Sequence, residues 1–314
     1  MGFDFLGAFG CHPSVDVPKV VCARRGSAAI VSTSASGCSV QSYQERLQRH
    51  LAAYKRDRLG VTQSGTFRYR GRDVVHAHIL PRELRWLNVL EPARAEVRGY
   101  ISANPGFKLH KYFHHLSSSQ AFALNLFYPP LAAGPSASEA LVKAVTGGGK
   151  PASWRFEDVP YEEEETNVDV TWVQADGAPT YCEVKLSEAD FGKAPPDRRH
   201  REKLTRTYTN ALTGYVDASL LTPNVFFSNY QILRNLWLAA KRPAARVVFL
   251  LPRANQNLWK PLRAVLMNVA ASLRRRVTVS AIEDVVEALE SSATVPAVLR
   301  WHARMIREKY VLPA

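Results

Sequence analysis

The sequence predicts an α/β fold: a mixed central sheet flanked by helices, with an N-terminal helical extension. Three observations predict it. Past residue 116, segments with helical periodicity alternate with strand-like ones. Residues 166–174 and 180–186 read as two strands of a meander joined across Ala175-Asp176-Gly177-Ala178-Pro179. Residues 247–251 (Val-Val-Phe-Leu-Leu) are apolar throughout, as a strand buried on both faces should be. A chain of 314 residues that is 46% hydrophobic is long enough for one elaborated core and is not a disordered polymer.

Residues 1–38 are rich in Ser, Ala, Gly and Val without periodicity and read as a loose tail. Residues 39–115 read as the helical extension. Within it, residues 44–58 place Leu47, Leu51 and Tyr54 on one helix face, and a polar stretch with Gly65 and Gly71 follows. Pro81 stops any regular element, and residues 83–100 read as one helix with Leu84, Leu87, Leu90 and Val97 inward. Residues 116–314 form the main domain. Its first helix is capped by a serine between Ser117 and Ser119 and is expected to break at Pro129-Pro130. A second helix over 137–145 ends at Gly147-Gly148-Gly149. Strands are expected at 154–159, 166–174, 180–186, 247–251 and 277–280. Helices are expected at 198–212, 229–240, 258–273, 282–289 and 295–309. There is no internal repeat.

Lys and Arg number 41 against 28 Asp and Glu, a net charge of +13. Such a surplus favours a polyanionic partner, nucleic acid first and an anionic membrane second. Most of it lies outside the acidic stretch 157–176, a pattern that suits a polyanion gripped by the surround and a divalent cation held in a pocket. The four cysteines, Cys11, Cys22, Cys38 and Cys182, contain no C-x-x-C pair, which argues against a zinc ribbon. Their sparseness at this length argues against a disulfide scaffold and for a reducing cytoplasm. No apolar run approaches the roughly 18 residues of a membrane span, and the N-terminus lacks the basic segment of a signal peptide.

Glu183-Val184-Lys185 is the one E-x-K in the chain. On a strand Glu183 and Lys185 share a face, while Cys182, Val184 and Leu186 take the other. Asp169 lies on the preceding strand. Directly opposed residues of an antiparallel pair share a face, so Asp169 joins Glu183 and Lys185 only if the paired residue numbers sum to an even value. A two-residue turn at Asp176-Gly177 gives an odd sum, so a three- or five-residue loop, or a bulge, is expected there. Two carboxylates on adjacent strands make a hard oxygen site suited to Mg²⁺, with Mn²⁺ as its substitute. Lys185 would orient or deprotonate a water, or neutralise a phosphorane-like transition state. The competing reading is a salt-bridged pair on a solvated sheet face.

Larger stretches resemble a known family. Ser118-Ser119-Gln120-Ala121 with Asn125-Leu126-Phe127, then Thr166-Asn167-Val168-Asp169, then Glu183-Val184-Lys185-Leu186-Ser187-Glu188 with Phe191-Gly192, then Tyr230-Gln231 with Arg234-Asn235, are similar in order and spacing to an uncharacterised bacterial, restriction-endonuclease-like branch of the PD-(D/E)XK phosphodiesterases. The motifs cover residues 116–251, under half of the chain. The resemblance implies a restriction-endonuclease-like core, Asp169 and Glu183 as metal ligands and Lys185 as the catalytic lysine. The sequence departs from the pattern at one point. No acid stands on the helix before the strands, where Gln120 and Asn125 occur instead, so Glu139, Glu157 or Glu165 is left to supply that carboxylate. Glu165 stands four residues before Asp169, on the same face if the strand reaches that far. Gln231 and Arg234 share a helix face and are supporting candidates. The cluster Arg198, Arg199, Arg201, Lys203 and Arg206 is expected to contact phosphates; Arg274-Arg275-Arg276 reads rather as a solvated face.

Two other signals are set aside. His110 and His114 have zincin spacing, but Lys111 stands where that motif needs Glu. Gly147-Gly148-Gly149-Lys150 has Pro151 where a phosphate loop needs Ser or Thr. The expected function is a Mg²⁺-dependent endonuclease, acting on DNA in preference to RNA, without a membrane and with room for a homodimer. A binding module of the same fold that has lost activity, an RNA-directed nuclease and a scaffold without nucleic acid are the competing classes.

Overall fold

The computed structural model describes residues 41–313; the expected loose tail over 1–38 lies outside them. Helix α1 (Tyr43–Asp57) starts at a capping box in which Ser42 accepts from the Glu45 N–H and the Glu45 carboxylate accepts from the Ser42 N–H. The polar stretch after it is a β-hairpin, β1 (Gly65–Tyr69) paired antiparallel with β2 (Arg72–His76). Its two-residue turn, Arg70-Gly71, has positive φ at both positions (48° and 79°), the geometry that matches strand twist. The extension is therefore a helix-and-hairpin unit.

The single helix expected over 83–100 is two: a 3₁₀ helix Arg82–Asn88 and α2 (Glu91–Ala103). Pro92 has no N–H to offer the Asn88 carbonyl, which accepts instead from Asn125 Nδ2 (3.0 Å) and Lys309 Nζ (2.6 Å). The opposite correction applies to α3 (Ser119–Ala132), which runs through Pro129 and Pro130. Pro129 leaves the Asn125 carbonyl without its helical donor, and His302 Nε2 fills the gap at 2.8 Å. At both prolines the orphaned carbonyl is satisfied by a donor from elsewhere in the fold. Helix α4 (Pro135–Thr146) ends at Gly147 in the left-handed region.

The central sheet has five strands in the order β3 (Pro151–Asp158), β4 (Val168–Gln174), β5 (Pro179–Val184), β6 (Arg246–Leu251), β7 (Val277–Ala281). β3, β4 and β5 form an antiparallel meander, and β5, β6 and β7 run parallel. The first crossover carries α5 (Arg198–Lys203), a π-helical segment Leu204–Thr209, α6 (Asn210–Leu212), a 3₁₀ turn Ala218–Leu221, α7 (Pro223–Ser228) and α8 (Tyr230–Ala240). The second carries α9 (Gln256–Met267) and α10 (Ala271–Arg274), so the helix expected over 258–273 is interrupted at Asn268. Helices α11 (Ile282–Ser291) and α12 (Ala297–Tyr310) close the chain.

Helices cover both faces. On one, Val170, Trp172, Cys182, Val184, Val248 and Leu250 pack under α1, α3, α4, α11 and α12. On the other, Tyr181, Val247, Phe249 and Leu251 pack under α8 and α9. The expected α/β architecture is what is found. Cys182 is a buried free thiol. No helix among the described residues is long and apolar enough to cross a membrane.

Candidate active site on three adjacent strands

The β4–β5 register pairs Val170 with Cys182, Thr171 with Tyr181 and Trp172 with Thr180. The sum is even, and a Gln174–Ala178 bond closes a three-residue loop with Gly177 at φ 83°. Continued by one step, this register sets Asp169 opposite Glu183. The β3–β4 register, Phe156 with Val170 and Asp158 with Val168, sets Glu157 opposite Asp169. Three carboxylates therefore stand in register across three strands, Glu183 bonded to Arg234 and Asn235 of α8 and Glu157 to Gln120 of α3. Neighbouring strands lie about 4.8 Å apart, so the backbones of the outer two are roughly 10 Å apart. No three Asp, Glu, His or Cys side chains among the described residues are gathered to hold an ion.

Each carboxylate has its own setting. Glu183 is 3% exposed. Its Oε1 accepts from Lys185 Nζ (2.8 Å), and its Oε2 accepts from Arg234 Nη2 (2.9 Å) and Asn235 Nδ2 (3.0 Å). Burial alone would raise this carboxyl, but Lys185 and Arg234 outweigh it and hold it at about 2. Asp169 Oδ2 accepts from the Val184 N–H at 2.7 Å. Burial, then repulsion from Glu183 and Glu157, pushes its carboxyl well above the usual range, against Lys185 and that N–H. Glu157 holds the left-handed region (φ 51°), rare for a residue with a Cβ. Its two oxygens accept from Gln120 Nε2 and Asn167 Nδ2, both at 2.9 Å. Burial raises it, and the amide donors oppose the rise.

Lys185 is buried (8% exposed) among Glu183, Glu188 and Asp169. Burial favours the neutral amine, yet the three carboxylates win and its pKa is raised. This setting favours the ammonium form of Lys185 over the amine.

The remaining predicted residues divide. Gln120, buried on α3, accepts from the His110 N–H (2.8 Å) and donates to the Lys108 carbonyl (3.0 Å) and Glu157, so the position without an acid holds one from β3. Arg234 reaches the centre. Gln231 lies against Gly192, where a Cβ would meet its side chain at 3.2 Å, and its Oε1 is buried without a donor. Glu165 stays outside: β4 begins only at Val168, and Glu165 is exposed and paired with Arg199 (2.8 Å). On α5, Arg198 pairs with Glu202 (2.8 Å) and Lys203 turns inward to buried Glu164 (3.0 Å). Arg201 Nε donates to the Pro196 carbonyl (2.8 Å), and Arg206 is exposed. Asn235, Asn167 and Glu188, which caps the Leu186 N–H at 2.7 Å, belong to the centre but were not singled out as site residues. Asn235 carried a usable signal, since it follows Arg234 on the helix facing the E-x-K strand.

A mixed five-stranded sheet with helices on both faces is consistent with a restriction-endonuclease-like fold. A family model described as "Restriction Endonuclease associating with ARP" matches residues 48–311, and the chain belongs to that family. Searches of curated proteins and of solved structures give no match.

Proposed function

We propose that this chain is a PD-(D/E)XK endonuclease that hydrolyses phosphodiester bonds with Mg²⁺, for which Mn²⁺ substitutes, and that DNA is its substrate. The observation that carries the reading is the alignment of Asp169 with Glu183 beside the buried ammonium of Lys185. The donor set fits a hard cation. Glu183 Oε1 has one protein donor and keeps a lone pair, and no protein group among the described residues donates to Asp169 Oδ1. Two hard oxygens suit an ion that keeps several waters. When bound there, the cation supplies Lewis acidity toward a phosphate and lowers the pKa of water. Asp169 gains most from its arrival, because its ionised form is opposed by burial and by two like charges.

The chain's own groups have separable parts. Arg234 and Asn235 fix Glu183 from α8 and leave its Oε1 facing Lys185. The Val184 N–H fixes Asp169. Lys185 presents a positive charge where negative charge develops on a pentacoordinate phosphorus, and its raised pKa suits that part better than proton abstraction. Gln120 positions Glu157, whose raised carboxyl is a candidate proton carrier at the edge of the row. Arg201 on α5 and Arg206 in the π-helical segment that follows have no carboxylate within ion-pair distance among the described residues and are the residues of that cluster suited to phosphate. The family's description names an association with ARP, and the proposal includes such an association for this chain. The absence of a three-ligand cluster among the described residues favours a second reading, a nucleic-acid binder without catalysis.

The test is cleavage of supercoiled plasmid, single-stranded DNA and RNA in Mg²⁺ or Mn²⁺, comparing the native protein with Lys185→Met. Metal-dependent cutting of DNA that the variant loses supports the nuclease. Tight, salt-sensitive binding without cutting of any polymer establishes the binder instead.

A further inference from the structure

The β1–β2 hairpin stands apart from the central sheet: its strands pair only with each other. Its base is fixed. Gly65 lies so close to the Leu80 backbone that a Cβ would meet the Leu80 oxygen at 2.1 Å, and the Gly65 N–H donates to the Ile79 carbonyl (2.9 Å). The Phe67 ring packs on Tyr112 (6.0 Å between centroids) and His115 (5.6 Å). Beyond that base the ribbon is exposed, and it carries Arg68, Arg70 and Arg72 against one acid, Asp73.

Its position relative to the carboxylate row follows from contacts. Tyr112 packs on His110 (5.2 Å), and the His110 N–H is bound by Gln120, which also holds Glu157. Exposed Lys108 and Lys111 flank this path. The hairpin is thus linked to the candidate centre through Tyr112, His110 and Gln120, and Lys108 and Lys111 along that path bring its three arginines to five cations. None of the five has a carboxylate within ion-pair distance among the described residues. On α5, by contrast, Arg198, Arg199 and Lys203 are already paired with Glu202, Glu165 and Glu164. Cations without partners release counterions when they meet phosphate, whereas paired ones must first give up a carboxylate.

We infer that the β1–β2 hairpin is the arm with which this protein grips double-stranded DNA, its ribbon lying in the major groove and Arg68, Arg70 and Arg72 on the flanking phosphates. This rests on the nuclease reading above and deepens it to a polymer. The major groove of B-form DNA admits a two-stranded ribbon, and the deep, narrow groove of an RNA duplex does not. The rigid two-residue turn keeps the tip thin, and Arg70, whose guanidinium lies 5.3 Å over the Tyr69 ring, sits at that tip.

The test measures binding of a short DNA duplex and of the RNA duplex of the same sequence by fluorescence anisotropy in EDTA, over a series of salt concentrations. The proteins are the full chain, its Arg68→Ala/Arg70→Ala/Arg72→Ala variant and the corresponding triple Arg→Lys variant. The native protein is expected to prefer the DNA duplex. The alanine variant, with unchanged thermal stability, is expected to lose at least about tenfold in affinity at moderate salt. Its slope of log K against log salt should flatten by roughly 2–3, as for three lost phosphate contacts. The lysine variant should keep most of the slope. If the alanine variant unfolds, Arg70→Ala alone, at an exposed turn, must flatten the slope by about one. Unchanged DNA affinity in a native protein that cleaves DNA overturns the hairpin assignment and leaves the nuclease standing. Equal losses on both duplexes overturn the groove assignment. A native protein that neither binds nor cuts nucleic acid removes the reading beneath both.

Discussion

Replacing Asp169 by Asn should make the metal-free protein more stable, the reverse of what removing a buried hydrogen-bonded group usually does. Asn keeps an oxygen for the Val184 N–H, so the bond at 2.7 Å can survive. What it removes is a carboxylate disfavoured by burial, by Glu183 and by Glu157. Directly opposed residues on antiparallel strands place like charges roughly 5 Å apart, and at an effective dielectric of about 20 each such pair costs about 3 kcal/mol. Lys185 offsets about one of the two pairs, which leaves a net gain on the order of 1–3 kcal/mol. The assay is urea unfolding at neutral pH in EDTA, repeated with Mn²⁺. The native protein should gain about 2.7 kcal/mol at a hundredfold excess of metal over Kd, and the variant should gain little. An Asp169→Asn protein that is less stable than the native one in EDTA, or gains as much from Mn²⁺, refutes the reasoning about charge in this row.

Three further outcomes follow from the same contacts. Arg234→Met leaves Glu183 buried with one cation instead of two and should cost about 3 kcal/mol in urea unfolding; a change below measurement error would show that Lys185 and Asn235 suffice. Gln120→Ala strands the His110 N–H and one Glu157 oxygen and should cost about 2 kcal/mol while slowing cleavage more than it weakens binding; an unaltered rate would remove Glu157 from the chemistry. Burial, with His76 and Lys55 nearby, lowers His78 from 6.5 to about 4. Its folded pKa lies below its unfolded one, so the unfolded chain takes up the proton first as pH falls. The stability it contributes is complete above about 6.5 and is lost down to about 4, at most about 3 kcal/mol, and His78→Leu should flatten that part of a Tm-against-pH curve.

The parts of the fold set by local pattern could be read from the sequence, and the parts set by distant bonds could not. The five strands of the central sheet came from alternation and from the apolar run at Val247–Leu251. The even register of Asp169 with Glu183 came from the requirement that opposed residues share a face, and the loop that satisfies it has three residues. Pro129 could not be placed from local chemistry alone, because the donor replacing its missing bond is His302, on α12. Glu157 was one of several acids until the β3–β4 register set it opposite Asp169, and Gln120, an apparent gap in the motif, proved to be what holds it. The hairpin at Gly65–His76, which the sequence reads only as a polar stretch, does carry a local signal: Phe67, Tyr69 and Val74 alternate with polar residues around Arg70-Gly71.

The proposed nuclease centre of Asp169, Glu183 and Lys185 requires both the metal and the Glu183 carboxylate for cutting. The most direct measurement is cleavage of duplex DNA by the native protein and by Glu183→Gln, side by side in Mg²⁺ and in EDTA. The native protein should cut in Mg²⁺ and not in EDTA, and the variant should not cut although it binds the duplex as well. Cutting in EDTA, or by Glu183→Gln at the native rate, would place the chemistry elsewhere and contradict the proposal.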